Sequence, residues 1–175
     1  MLMSGNEDHS AKGTWKTVGK QIILTTASPG PLEFQVFANG DYNRTKMPKP
    51  GIWVALVGVP HVAPVADVEV KFVAKSGKSA TAVSQPNGDA IVDMPSTEVW
   101  ARAGLRANST QQFQWFDVPA DRAPGRIAGF AITNPESLRS IPFRTLALDR
   151  EPGGLKVVES GGGFTGTYVK RSAAD

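Results

Sequence analysis

The sequence predicts an all-β fold: a single β-sandwich or sandwich-like barrel of mostly antiparallel strands, with at most one short helix near 135–140. Three observations carry that reading. Apolar and polar residues alternate with a period of two through much of the chain, most clearly in "DVEVKFVA" (67–74), the pattern of a strand with one buried face. Turn signals built on Gly, Pro and Asn recur roughly every 8–12 residues, as in sandwiches and barrels. The chain holds 18 Gly and 13 Pro, a composition that favours short elements over long helices.

In chain order, "GTWKTVGKQIILTT" (13–26) predicts two strands around Val18-Gly19-Lys20, with Trp15 on the first. "SPGP" (28–31) is a break. "LEFQVFA" (32–38) places Leu32, Phe34 and Val36 on one face. "NGDYNRTKMPKPG" (39–51) is a polar loop. "IWVALVGV" (52–59) is continuously apolar, too short for a typical helix and rich in β-branched residues, so it predicts a buried strand. "PHVAP" (60–64) interrupts it. In 67–74, Val68, Val70, Phe72 and Ala74 point inward and Asp67, Glu69 and Lys71 outward. "SATAVS" and "DAIVDM" then flank "QPNGD", whose Pro86, Asn87 and Gly88 predict a hairpin turn.

"TEVWARAGL" (97–105) alternates again, with Val99, Ala101 and Ala103 opposite Trp100 and Arg102, which makes Trp100 an exposed ring on the arginine side. In "QQFQWFDV" (111–118), Phe113 and Trp115 share one face and Gln114 and Phe116 the other. "RIAGFAIT" (126–133) is a strand. In "NPESLRSIPF" (134–143), Asn134 can cap a short helix that begins at Pro135. "RTLALDR" (144–150) and "GLKVVES" (154–160) predict a hairpin across Glu151-Pro152-Gly153, and "FTGTYVKR" (164–171) the last strand. Gly-Thr-aromatic occurs near both ends, so the two terminal strands are expected to lie side by side and close a sheet.

The 175 residues suffice for one domain with a sizeable core, and no composition shift marks a linker. The expected organisation is a disordered leader over 1–12, one β domain over 13–171 and a tail over 172–175. The absence of cysteine removes disulfides, thiolate nucleophiles and Cys-ligated metal centres. No apolar run approaches the roughly 18 residues of a membrane helix, and the leader carries no signal-type apolar core. Lys/Arg and Asp/Glu balance over 1–100, so the net charge of +3 arises in 101–175. The arginines there are dispersed among acids, without the tight basic run of a nucleic-acid binder, and nucleic acid is not expected as a partner.

The pieces "IWVALVGV", "APVADVEVKF", "SGKSATAVSQPNGDAIVDMP" and "TEVWARAG" resemble, over 52–104, the prealbumin-like or carboxypeptidase-regulatory-like β-sandwich units of bacterial envelope proteins. The flanks are similar to secreted bacterial proteins. The resemblance implies a structural or binding module in the periplasm or outside the cell; a cytoplasmic setting stays open.

Three kinds of chemistry can be weighed. Asn87, Asp89 and Asp93 offer oxygens for a cation, but only two carboxylates and no EF-hand spacing, so turn and surface roles are expected, with no metal and no cofactor. His61 in "VPHVAP" can serve as a catalytic base with Asp67 or Asp117, Asp41 and Asp121 being further acids, but no nucleophile elbow accompanies it; "SGGGF" (160–164) lacks the lysine of a phosphate loop. Trp15, Trp53, Trp100 and Trp115 are rings that fill cores or stack on ligands, and Trp100, Arg102 and Trp115 form the expected ligand-binding set. The expected function is therefore a non-catalytic secreted or envelope binding or accessory module recognising a protein or a glycan. The alternatives are a small β-barrel enzyme using His61 with an aspartate, and an assembly protein that oligomerises through an edge strand, the oligomeric state being open.

Overall fold

A computed structural model describes residues 12–37, 48–107, 109–139, 141, 143–158 and 166–169. The expected leader up to residue 11, the tail, the Asn-Gly turn at 39–40, His9, Asp41 and the 161–163 glycines lie outside these. The described chain is all-β, and its only helical pieces are single 3₁₀ turns at Ala123–Gly125 and Pro135–Leu138. The second replaces the expected short helix.

The chain divides into two compact units, Met1–Gly30 with Arg139–Asp175, and Pro31–Leu138. The "SPGP" break falls on the first boundary. The first unit is one antiparallel sheet. β1 (Gly13–Val18) and β2 (Gln21–Thr26) form the predicted hairpin, and β12 (Thr145–Glu151), β13 (Gly154–Val157) and β14 (Thr167–Val169) complete the order β1-β2-β12-β13-β14. The hairpin across Pro152-Gly153 is present, with Glu151 opposite Gly154. The two terminal strands do not meet: β1 and β14 are the opposite edges of an open sheet. Leu146 and Leu148, paired with Leu24 and Ile22, are the buried pair of this unit.

The second unit is a sandwich, not a closed barrel, among the described residues. One layer runs β10 (Gln114–Asp117), β9 (Trp100–Arg106), β6 (Glu69–Ala74), β7 (Ser79–Val83). The other runs β3 (Phe34–Val36), β11 (Ile127–Ile132), β4 (Ile52–Val59), and β4's far side is shared by β5 (Ala63–Pro64) and β8 (Asp89–Asp93). β4 and β11 pair in parallel, and their continuous apolar runs match their burial: all six residues of β11 and five of the eight of β4 are buried. The expected inward set of β6 holds, with Val70, Phe72 and Ala74 buried. Between the layers, Trp53 of β4 stacks on Trp100 of β9 at 5.6 Å and 16°, and Phe72 of β6 abuts Trp100 at 4.9 Å. Gln114 joins the layers at one edge, its amide accepting from Phe34 N–H and donating to the Leu32 carbonyl.

Two further expectations are corrected. "QPNGD" is not a hairpin turn: β7 pairs with β6 and β8 with β4, so the turn carries the chain from one layer to the other. Both flanking strands alternate because each turns its apolar side to the shared core. The turn is tied by Gly88 N–H to the Gln85 carbonyl at 2.8 Å, by Asp89 N–H to Asn87 Oδ1 at 3.1 Å, and to β4 by Val57 N–H to the Gly88 carbonyl at 2.8 Å. The second correction is Trp100, which is 1% exposed. On β6, Val73 and Ala74 are consecutive, but their partners on β9 are Arg102 and Trp100. Ala101 is the extra residue of a β-bulge, and a bulge reverses the alternation beyond it. Trp100 therefore points into the core while Arg102 points out.

Gly88 sits at φ 81, and a Cβ there would meet the Val57 carbonyl oxygen at 2.5 Å, whereas Gly77, at φ 90, has open space. Gly77→Ala should cost only the backbone strain, about 1–3 kcal/mol. Gly88→Ala should cost more, because β4 must also shift. Urea unfolding of both variants checks this ordering, and equal losses would contradict the packing role of Gly88.

Candidate functional site

The bulge that buries Trp100 also builds the outer face of the β10-β9-β6-β7 layer. Strand alternation then places Arg102, Gly104 and Arg106 outward on β9, Glu69, Lys71 and Val73 on β6, and Trp115 and Asp117 on β10. Registers group them into cross-strand rows: Asp117–Arg102–Val73–Ser79, Trp115–Gly104–Lys71–Thr81, and Arg106–Glu69–Val83.

The middle row is open in its centre because Gly104 has no side chain. The Trp115 ring fills that place, with ring carbons 3.0–3.1 Å from where a Cβ of Gly104 would stand. The indole thus lies over β9 while remaining 41% exposed. Phe113 braces it at 5.7 Å, and the Arg102 guanidinium stands 5.1 Å from its centroid. A cation over an indole face is attractive by roughly 0.5–2 kcal/mol, depending on solvation.

The two arginines of the face do different work. Arg106 is committed: its Nε and Nη2 donate to both Glu69 oxygens at 2.7 and 2.9 Å, its Nη1 reaches the Ser109 and Gln111 carbonyls, and its guanidinium covers Phe113 at 4.3 Å. This half-buried fork holds the 109–113 segment, and with it Phe113, against the sheet. Apart from the Trp115 ring, Arg102 has one side-chain partner among the described residues, Nε to Asp117 Oδ1 at 3.3 Å, and the Asp117 side chain is 89% exposed. Such a solvated pair contributes about 0–1 kcal/mol, so the guanidinium fork is free to turn to a ligand. Arg102 is positioned from behind: Trp100 Nε1–H donates to the Arg102 carbonyl at 2.9 Å, across the bulge.

The structure thus brings Arg102 and Trp115 together on one face and excludes Trp100 from it. Lys71 and Gly104, in the row of Trp115, and Phe113, against its ring, are further members of this face that the expected set did not include. The signal for Lys71 was present in the alternation of β6; that for Gly104 was not, because its role depends on the cross-strand partner.

The other expected groups are not assembled as proposed. His61, at φ 59, is exposed in the turn between β4 and β5. It lines an open groove of about 460 Å³ that contains Asn87 and Asp89, and neither Asp67 nor Asp117 lines it. Asp117 belongs to the outer face of the other layer. Asp89 is 6% exposed and accepts from Asn87 Nδ2 at 3.1 Å. Asp93 lies on the solvent side, as expected, at the far end of β8 opposite Ile52. Four strand residues, roughly 13 Å, therefore separate it from Asp89, and the three oxygen residues do not converge.

Comparison with known proteins finds no family model that matches the chain, and no significant match among curated proteins or solved structures.

Replacing Gly104 by Val should lift the Trp115 ring from the sheet. In a Trp15→Phe background, Trp115 is the one exposed tryptophan, so iodide quenching of the emission should increase on adding Gly104→Val while the strand circular dichroism stays. Unchanged quenching would show that Gly104 does not seat the ring.

Proposed function

We propose that this chain is a non-catalytic binding or accessory module whose partner, a glycan or a protein, docks on the outer face of the β10-β9-β6-β7 layer. The single observation that carries the reading is the Trp115 ring, laid over Gly104 yet 41% exposed and flanked by Arg102. A sheet presents such a ring rigidly, so little side-chain entropy is lost when a ligand stacks on it. A flat exposed indole suits the apolar face of a sugar ring. The envelope or secreted setting rests on the resemblance of 52–104 alone.

On a glycan array, the wild type should retain at least one carbohydrate class, and Trp115→Ala should weaken retention roughly 10–100-fold, the range of a stacking contact of about 1–3 kcal/mol. An array on which the two proteins behave alike, with both folded by circular dichroism, would overturn the carbohydrate form of the reading.

A specific observation supports a second reading, assembly through β1. All six residues of this edge strand are exposed, and Trp15 is 67% exposed. Lys12 accepts from Ala27 N–H, so the even-numbered residues bond to β2, and Gly13, Trp15 and Thr17 turn their backbone groups to the open edge. Two copies of β1 can then pair antiparallel about Trp15, with Gly13 opposite Thr17 in both directions. The Lys16 residues are not opposed in that register. Sedimentation at rising concentration should show a dimer that Thr17→Pro abolishes, because proline removes an outward N–H and leaves the β2 pairing intact. A wild type that stays monomeric at high concentration would reject this reading.

A further inference from the structure

We infer that the outer face selects carboxylated polysaccharides, that is, chains bearing uronate residues; this inference rests on the binding-module reading above and names its ligand. The argument begins with which cations on the face are uncommitted. Arg106 is held by both oxygens of Glu69. Arg102 uses only Nε, on an exposed carboxylate, and its two terminal nitrogens have no partner among the described residues. Lys71 makes no ion pair among the described residues either. Two cations without a committed carboxylate therefore border Trp115, Arg102 over the ring at 5.1 Å from its centroid and Lys71 beyond it in the same row.

Their spacing fits a sugar acid. Neighbouring strands lie about 4.8 Å apart. Lys71 is two strands from β10, in the same row as Trp115, and the indole leans over the intervening Gly104. The lysine stem thus rises about one strand spacing, roughly 5 Å, from the ring, which is the width of a pyranose. Arg102 stands 5.1 Å from the ring centroid on the adjacent row. A pyranose stacked on the indole can turn its ring carboxylate to Lys71 or to the Arg102 fork, and the next residue of the chain can reach the other cation. Arginine takes a carboxylate with two parallel N–H donors, and displacing the solvated Asp117 costs little. A nucleic-acid strand would need a basic track along its whole backbone; two isolated cations do not form one.

The test is isothermal titration of the full chain with alginate, a uronate polymer, and with its propylene-glycol ester, which keeps the sugar and removes the charge. Alginate should bind about tenfold more tightly than the ester, consistent with a charge-assisted contact, and added salt should narrow the difference. Lys71→Gln and Arg102→Gln should each reduce the preference while leaving ester binding unchanged, and Trp115→Ala should weaken both ligands. Equal binding of both polymers that still depends on Trp115 would overturn the acid selectivity and leave the module reading standing. Binding insensitive to Trp115→Ala would overturn the module reading itself. No binding of either polymer would overturn the inference.

Discussion

The sandwich of residues 31–138 turns on the contact of Trp53 with Trp100. The two indoles come from opposite layers and stack at 5.6 Å, so each packs directly on the other across the core. Removing a buried ring of this size costs about 3–5 kcal/mol, a large part of the stability of a small domain. The contact also has a geometric requirement. Trp100 reaches the core only because Ala101 is bulged out of register with β6. A bulge interrupts the ladder and leaves backbone polar groups in want of partners, and here the Trp100 indole N–H serves the Arg102 carbonyl. One side chain thus fills the core and satisfies the backbone irregularity that let it in.

The outer face follows from the same event. Past the bulge, each outward position of β9 is set by parity: Arg102, then Gly104, then Arg106. Each meets a different kind of partner across the strand. Arg102 meets Asp117 and stays solvated. Gly104 meets Trp115 and yields it room. Arg106 meets Glu69 and is consumed in a bidentate pair. The face is therefore graded, from a structural clamp at one side, through an aromatic platform, to a solvated cation at the other. Packing on one side of the sheet and the make-up of the exposed face on the other are coupled through a single register shift.

Much of the fold was legible in the sequence, and the reasons are physical. Alternation reports which face of a strand is buried, so the inward set Val70, Phe72 and Ala74 was readable directly. A two-residue turn with glycine reports a local hairpin, so β1–β2 and β12–β13 were readable too. Alternation does not report the partner, however. β7 and β8 carry the same pattern whether they pair with each other or face each other across a core, and "QPNGD" suits either connection. The division into two units was equally hidden. The sheet of the first unit joins β2 to β12 across the whole of 31–138, and no local composition reveals a pairing at that distance.

The site was half legible for a related reason. Arg102 was readable as a face residue because it stands on the polar side of its strand, and Trp115 as a candidate because it is a ring in a strand-like run, although its sequence leaves open which face of 111–118 is buried. Trp100 was misassigned because parity was counted through a bulge, and a bulge at Ala101 has no side-chain signature. Lys71, Gly104 and Phe113 escaped for the opposite reason: nothing about them is unusual alone. A glycine in a strand normally weakens it, by lost packing and greater backbone entropy. Here the loss is offset, because the space left by one missing Cβ is where an indole comes to rest. What looks like a local weakness in one strand is, once its neighbour is known, the condition that turns an exposed tryptophan into a fixed and flat surface.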